Sequence, residues 1–347
     1  MPPAPDPAER ALDLAALGFE VYARDVLRPL IYPFCQRLEI EAWQPPPGQH
    51  PPITEAESAE YVPVAPGWRW GPKWSPCWFR LSGRVPEAFA GGEVHLRFST
   101  ATEATLWLDQ EPKQGFDVNR DAYRLLREAP AGWNVRAHVE AACNHPFGVV
   151  TFDWDTADTK RRWASPEPGE LEFAEIAVYD AEAWDRHRRY AFAVELLRSL
   201  DPSSSRARQL LAALTACTDA HKRGQIDAAD WLLNQTLAVP AAGSAPECYA
   251  VGHAHLDTAW LWPIRETRRK FVRTSTNVLN LLDRFEDFRF LCSQAQQYAW
   301  LEDDAPGVFE RVRKAVASGV WEPGGAMWIE PDANCPSGES LIRQVLH

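Results

Sequence analysis

Gly252-His253-Ala254-His255-Leu256-Asp257-Thr258-Ala259-Trp260 follows directly on the strand-like run Glu247-Cys248-Tyr249-Ala250-Val251, and the reading of this junction decides the fold of the C-terminal third. Side chains at i, i+2 and i+4 of an extended segment point to one side, so His253, His255 and Asp257 are expected to converge on one small volume. Imidazole nitrogen and carboxylate oxygen are the ligand set of Zn²⁺, at about 2.0–2.2 Å. The plainer alternative is a strand end whose histidines hydrogen-bond to their neighbours. Trp260 and the helix-opening Trp262-Pro263 complete the motif.

Reading onward, Ile264, Phe271, Val278 and Phe285 recur seven apart with Leu279 and Leu282 in support, which predicts a helix. Phe288-Arg289-Phe290-Leu291-Cys292 predicts a second strand. Val308–Ser318 is predicted as the next helix, with Gly319 as its stop. A third strand is expected within 320–329, and Ser337 is placed to cap a last helix. Strand and helix in alternation mean a parallel sheet, here the start of a parallel α/β barrel over 247–347 that is apparently truncated. The motif then falls at the C-terminal end of the first strand, where such folds place their chemistry.

Upstream, apolar spacing over 1–43 predicts a helical arm, followed by a Pro-rich linker over 44–59. From 60 to 180 the period becomes two. Trp78–Leu81, Val94–Phe98, Thr105–Leu108, Val149–Phe152 and Leu171–Val178 read as strands of an antiparallel, jelly-roll-like β-sandwich. His95, His138 and His145 are scattered through it and are assigned to packing or surface. A helical linker region over 181–240 returns to the 3.6-residue period, with Trp184, His187, Tyr190, Val194 and Leu197 on one face.

The bulk numbers narrow the class of function. With 347 residues, two or three domains are expected. The formal charge of −12 opposes phosphate backbones and anionic membranes, so neither nucleic acid nor membrane is an expected partner. Met1-Pro2-Pro3-Ala4-Pro5-Asp6-Pro7 lacks the basic and apolar regions of a secretory signal, and the expected location is cytoplasmic. Seven scattered cysteines without CxxC spacing indicate reduced thiols rather than a disulfide framework. Sixteen tryptophans mostly fill cores, yet indole faces also stack on sugar rings, which favours a carbohydrate ligand.

His255-Leu256-Asp257-Thr258-Ala259-Trp260 resembles the His-x-Asp-x-x-Trp signature of glycoside hydrolase family 38, the retaining class II α-mannosidases. Gly324–Glu339 is similar to the segment after the third strand in the cytosolic branch of that family. Trp70–Phe79 and Glu93–Leu96 resemble its sandwich domain.

The resemblance implies that His255 and Asp257 ligate one Zn²⁺ and that Trp260 is the platform under a mannose ring, with mannose-containing oligosaccharide as substrate. It leaves His253 without a ligand role, and places Trp328, Glu330 and Asp332 on a loop bordering the pocket without a catalytic part. The aspartate nucleophile and the last histidine ligand are expected beyond His347, so no catalytic residue is assigned within the chain. Two alternatives remain at this point: a metal-dependent hydrolase of amidohydrolase type using His253 and His255, and a non-catalytic carbohydrate-binding module with scaffold. An unpaired strand edge is further expected to promote homo-oligomers. On this reading the 347-residue chain alone is inactive: incubated with an aryl α-mannoside it should release aryl alcohol no faster than buffer does, and clear turnover would overthrow the expectation.

Overall fold

A computed structural model describes residues 7–145, 152–241, 243–325 and 327–346; the strand expected over Val149–Phe152 lies, apart from Phe152, outside the described residues. The chain divides into two compact units, Met1–Cys35 with Ala177–Cys248, and Gln36–Ile176 with Tyr249–His347.

The first unit is helical. The arm runs as Pro7–Tyr22 and tightens through Ala23–Leu27 and Arg28–Ile31. Three further helices follow at Ala181–Ser199, Ser205–Lys222 and Ile226–Leu237. Asp180 and Ser204 cap the first two, accepting from the backbone N–H groups of Ala183 and Ala207. Leu12, Ala16 and Leu27 of the arm share one core with Tyr190, Val194, Leu197, Leu210, Leu214 and Leu233. Arm and helical linker region, far apart in sequence, are thus one bundle.

The second unit opens with the sandwich. One sheet has six strands in the order Val62–Pro63, Glu39–Trp43, Pro76–Arg84, Asn134–Ala142, Ala104–Leu108, Glu111–Phe116. The other has four, in the order Phe34–Arg37, Phe173–Val178, Val94–Ser99, Ala122–Leu126. Phe79 of the first sheet meets Phe98 of the second with ring centroids 5.4 Å apart, and Leu81, Leu96, Leu106 and Val139 are buried around them.

Two expectations need correction. The arm does not extend to residue 43: Phe34–Arg37 and Glu39–Trp43 are strands, because alternation in Ile40 and Ala42 buries one side against the sheet. The Pro-rich segment is not only a linker. Its Ile53–Ala56 turn of helix lays Ile53 and Ala56 on Trp78, covering the sheet's outer face.

The C-terminal part of this unit is a three-stranded parallel sheet in the order Gly252–His253, Phe290–Leu291, Trp321–Glu322. Helices Ile264–Leu282, Ala295–Asp304, Pro306–Ala317 and Gly338–Arg343 accompany it. The strands are shorter than expected, since among the described residues only these short stretches find ladder partners; Tyr249 and Val251 stand exposed. The helix Ala295–Asp304 escaped the sequence reading, its inward residues being Gln297 and Leu301 rather than an apolar series.

The helix Ile264–Leu282 carries the greatest structural burden. Phe271 and Val278 enter the core beneath the parallel sheet, while Ile264 is exposed and Phe285 falls beyond the helix end. Its other buried face is polar and lies on the six-stranded sheet. Lys270 and Arg273 both pair with Glu103, the latter at 2.9 Å, and Arg269 pairs with Glu140 at 2.5 Å. Asn277 accepts the Gly115 N–H at 2.8 Å, and Asn280 donates to the Lys113 carbonyl at 2.8 Å. These bonds cover the sheet's edge strand Glu111–Phe116. A Cβ on Gly115 would lie 2.6 Å from Arg273 Cβ, so only glycine permits this approach.

Burial pushes the Glu103 carboxyl up, but Lys270 and Arg273 pull it down by more, and it lies below the ordinary carboxylate value. Burial of Glu140 outweighs Arg269, and that carboxyl lies above its ordinary value. The stabilisation from Glu103 is therefore complete above the ordinary carboxylate range and is lost as pH falls through its lowered value. Replacing Glu103 by Gln strands two buried cations and should cost about 2–4 kcal/mol at pH 7, below the full cost for a deeply buried pair because Glu103 is 23% exposed. Denaturant unfolding should show the gap between wild type and Glu103→Gln narrowing in acid, with Glu140→Gln costing less than Glu103→Gln at neutral pH.

Candidate metal centre

The first parallel strand ends at His253, and the chain then turns out of the sheet. Gly252 suits the first of its two pairings: a Cβ there would lie 2.7 Å from the Phe288 ring and 3.1 Å from the Arg289 carbonyl oxygen. Because regular alternation stops here, the three residues in register do not all converge. His253 turns aside and donates from Nδ1 to the Leu291 carbonyl at 2.8 Å. Its ring centroid is 6.5 Å from that of His255, and among the described residues the ligand atoms that gather within 4.8 Å of one another are those of His255, Asp257 and Glu330, without the paired imidazoles of the amidohydrolase-type alternative.

His255 and Asp257 do meet. His255 Nε2 stands 3.4 Å from Asp257 Oδ1, and His255 Nδ1 stands 3.4 Å from Glu330 Oε2. One ligand atom from each of His255, Asp257 and Glu330 lies within 4.8 Å of the others. Two donors bound tetrahedrally at 2.0–2.1 Å would stand about 3.3 Å apart, so the His255–Asp257 spacing fits a shared cation. Glu330 Oε1 is buried with no hydrogen-bond partner, a polar atom that a cation or its hydration shell would satisfy. Burial raises the Glu330 carboxyl above its ordinary value; His255 opposes that and Asp257 adds to it. The His255 imidazole and the Asp257 carboxylate, open to further donors on the exposed side of His255, make a pair that fits a zinc-type ion, with Glu330 beside them on the other ring nitrogen.

The segment is held in place by three glutamines after the second strand, which the sequence reading passed over. Gln297, fully buried, donates to the Leu256 carbonyl at 2.7 Å and to Thr258 Oγ1 at 3.0 Å. Gln294 donates to the same carbonyl at 2.8 Å and accepts the Thr258 hydroxyl at 2.9 Å. Its φ of 73° is a left-handed conformation that a side chain of this size adopts at a cost. Gln296 accepts Trp328 Nε1–H at 2.9 Å and so fixes the loop that carries Glu330. A glutamine triplet after a strand was the available signal, since an amide supplies both the donor and the acceptor that two irregular backbones need.

Trp260 is 52% exposed beside the cluster, edge-on to Trp262 at 5.8 Å and 88°. Trp262 is itself fixed, donating from Nε1 to Thr267 Oγ1 at 2.9 Å with the Lys270 ammonium 4.6 Å from its ring centroid. Thr267 in turn donates to the Asp257 carbonyl at 3.2 Å. Trp328 is half-buried, and Asp332 accepts the Asn334 N–H at 2.7 Å as a turn residue. Beneath the site, Tyr298 donates to the Cys292 carbonyl at 2.7 Å and accepts Trp321 Nε1–H at 2.9 Å. His95 pairs with Glu93 and His145 with Asp155, in keeping with packing roles.

A parallel sheet with such a cluster at its C-terminal edge, preceded by a jelly roll, defines a class. Residues 245–347 match the glycosyl hydrolases family 38 N-terminal domain, and residues 32–176 match the alpha-mannosidase jelly roll domain. The two matched segments follow one another along the chain, the jelly roll first and the family 38 domain after it. It is similar to human alpha-mannosidase 2C1, 32% identical over 85% of this chain and 29% of that one. Alpha-mannosidase G of Dictyostelium discoideum is 27% identical over 84% and 27%, and the alpha-mannosidase of Saccharomyces cerevisiae 30% identical over 79% and 26%. The chain thus spans about three tenths of the length of these relatives. Among solved structures, a b-glucuronidase from Ruminococcus gnavus superposes with a TM-score of 0.27 at 11% identity over 42% of this chain and 29% of its own, too loosely to carry an argument. Among the described residues no helix is long and apolar enough to cross a membrane.

Replacing Gln297 by Leu removes both of its bonds to the motif and leaves the Thr258 hydroxyl and the Leu256 carbonyl each one partner short. Urea unfolding should register a loss of about 1–3 kcal/mol. A loss below about 0.5 kcal/mol would show that Gln294 alone holds the segment.

Proposed function

We propose that this chain is the N-terminal part of a zinc-dependent retaining α-mannosidase that hydrolyses terminal α-mannosides of oligosaccharides, its parallel sheet being the start of an α/β barrel. The observation that carries the reading is the 3.4 Å approach of His255 Nε2 and Asp257 Oδ1 at the C-terminal edge of that sheet, inside the segment that matches family 38. In this reading His255 and Asp257 hold the ion. Zn²⁺ bound there supplies Lewis acidity toward sugar hydroxyls, which favours the distorted, positively charged ring at the transition state. The protein's own part is positional. Trp260 offers an exposed indole held edge-on by Trp262, so one apolar sugar face packs on a surface that is already oriented. The double displacement of a retaining glycosidase also needs a carboxylate nucleophile and a carboxyl acid/base, and neither role is assigned to a residue of this chain.

The same reading includes a cytoplasmic setting, supported by the absence of any disulfide among the described cysteines, and a capacity to form homo-oligomers through exposed sheet edges. Nucleic acid stays outside this reading, since a charge of −12 opposes binding to phosphate backbones.

Calorimetric titration of Zn²⁺ into metal-free protein should give one site. His255→Ala and Asp257→Ala should each weaken it at least about tenfold, whereas Trp260→Ala should leave it unchanged and instead reduce binding of methyl α-mannoside. Equal zinc affinity in wild type and both ligand variants would falsify the assignment of the ion to these residues.

A further inference from the structure

His255 presents both ring nitrogens to carboxylates, and one imidazole cannot bind a single ion through both. Nε2 faces Asp257 at 3.4 Å on the same segment, and Nδ1 faces Glu330 at 3.4 Å from the loop after the third strand. A neutral imidazole carries one proton, and the nitrogen that bears it cannot ligate. Which nitrogen ligates is decided by the partner of the other one, and an acceptor that takes the ring N–H both selects the tautomer and fixes the ring plane.

We propose that Glu330 is the positioning residue of His255: its carboxylate accepts the Nδ1–H, leaving the Nε2 lone pair directed to the cation beside Asp257. The inference rests on the zinc reading above and assigns Glu330 a role outside the ligand set. At 3.4 Å the Nδ1–Oε2 pair is a few tenths of an ångström longer than a formed hydrogen bond, a distance that a side-chain adjustment closes.

The supports of Glu330 suit such a task. The loop is tied at the two residues that precede Glu330. The Ile329 N–H donates to Gln344 Oε1 at 2.8 Å, and the Trp328 N–H donates to the Gln344 carbonyl at 2.7 Å. Trp328 Nε1–H donates to Gln296, whose own N–H returns to the Trp328 carbonyl at 2.9 Å. The Glu330 N–H points to Gln294 Oε1 at 3.5 Å, the amide that also holds Leu256 and Thr258. One glutamine therefore references the histidine's own segment and the carboxylate that orients it. Glu330 is also about one third exposed against 62% for His255, so the acceptor is the better anchored of the two.

The test uses metal-free protein, zinc titration and ¹⁵N detection of the His255 ring. In wild type the Nδ1–H tautomer should dominate. Glu330→Ala should shift the ring toward the Nε2–H tautomer and weaken zinc binding roughly 10- to 100-fold. Glu330→Gln keeps a carbonyl acceptor for Nδ1–H and should retain the tautomer and most of the affinity. Were Glu330 itself a ligand, Glu330→Gln would lose affinity as fully as Glu330→Ala while the tautomer stayed put, and the proposal would be overturned. An unchanged tautomer in Glu330→Ala overturns it as well. If His255→Ala binds zinc like wild type, the zinc reading itself fails, whereas the tautomer measurement still decides the role of Glu330. Circular dichroism and the unfolding midpoint establish that each variant is folded.

Discussion

The carboxylate of Glu103, gripped by Lys270 and Arg273, is the contact on which the second unit depends. It fastens the helix Ile264–Leu282 to the six-stranded sheet, and that helix is the direct continuation of the segment bearing His255 and Asp257. From Lys270 the connection passes to the ring of Trp262, and from Trp262 edge-on to Trp260. Thr267, on the same helix, holds the Asp257 carbonyl. The jelly roll is thus more than a neighbour of the parallel sheet. It supplies the acidic groups that let a cationic helix face be buried, and the helix in turn covers the edge strand Glu111–Phe116.

Bringing six charged residues, Glu103, Glu140, Glu266, Arg269, Lys270 and Arg273, into one interface is an expensive way to join two layers. Unpaired, each would cost several kcal/mol, and even paired they contribute little net stability over an apolar contact. What charge pairing supplies is register: Lys270 and Arg273 find Glu103 in one orientation, and Asn277 and Asn280 then find Gly115 and Lys113. An apolar face would have tolerated sliding by a turn. A site assembled from a strand end, a helix start and a distant loop benefits from that intolerance, because displacing the helix moves Asp257 and Trp260 together.

The cluster follows the same logic at smaller scale. Its residues lie on irregular backbone after strand ends, where no ladder fixes them. Gln294, Gln296 and Gln297 substitute side-chain amides for the missing ladder and tie the 256–258 segment to the 328–330 loop. A left-handed φ at Gln294 is the cost accepted for aiming that amide at both.

Much of this was legible in the residues alone. The period-two strands around Trp78, Val94 and Thr105, the helices after Asp180 and Ser204, the strand–helix alternation beyond 247 and the His255–Asp257–Trp260 motif follow from local spacing, and local spacing is what a linear chain displays. Tertiary structure alone decided the rest. It set the arm Pro7–Ile31 against the helices of 181–237, since which apolar stripes meet depends on chain reversal rather than on the stripes. It turned His253 away from His255, since alternation holds only while a ladder keeps the backbone extended. It buried the polar stripe Glu266, Lys270, Arg273, Asn277 and Asn280, whose spacing reads as a solvated face until a sheet bearing Glu103 covers it. And it brought Glu330 to His255 across 75 residues of chain, a meeting that only the parallel order of three strand ends could arrange.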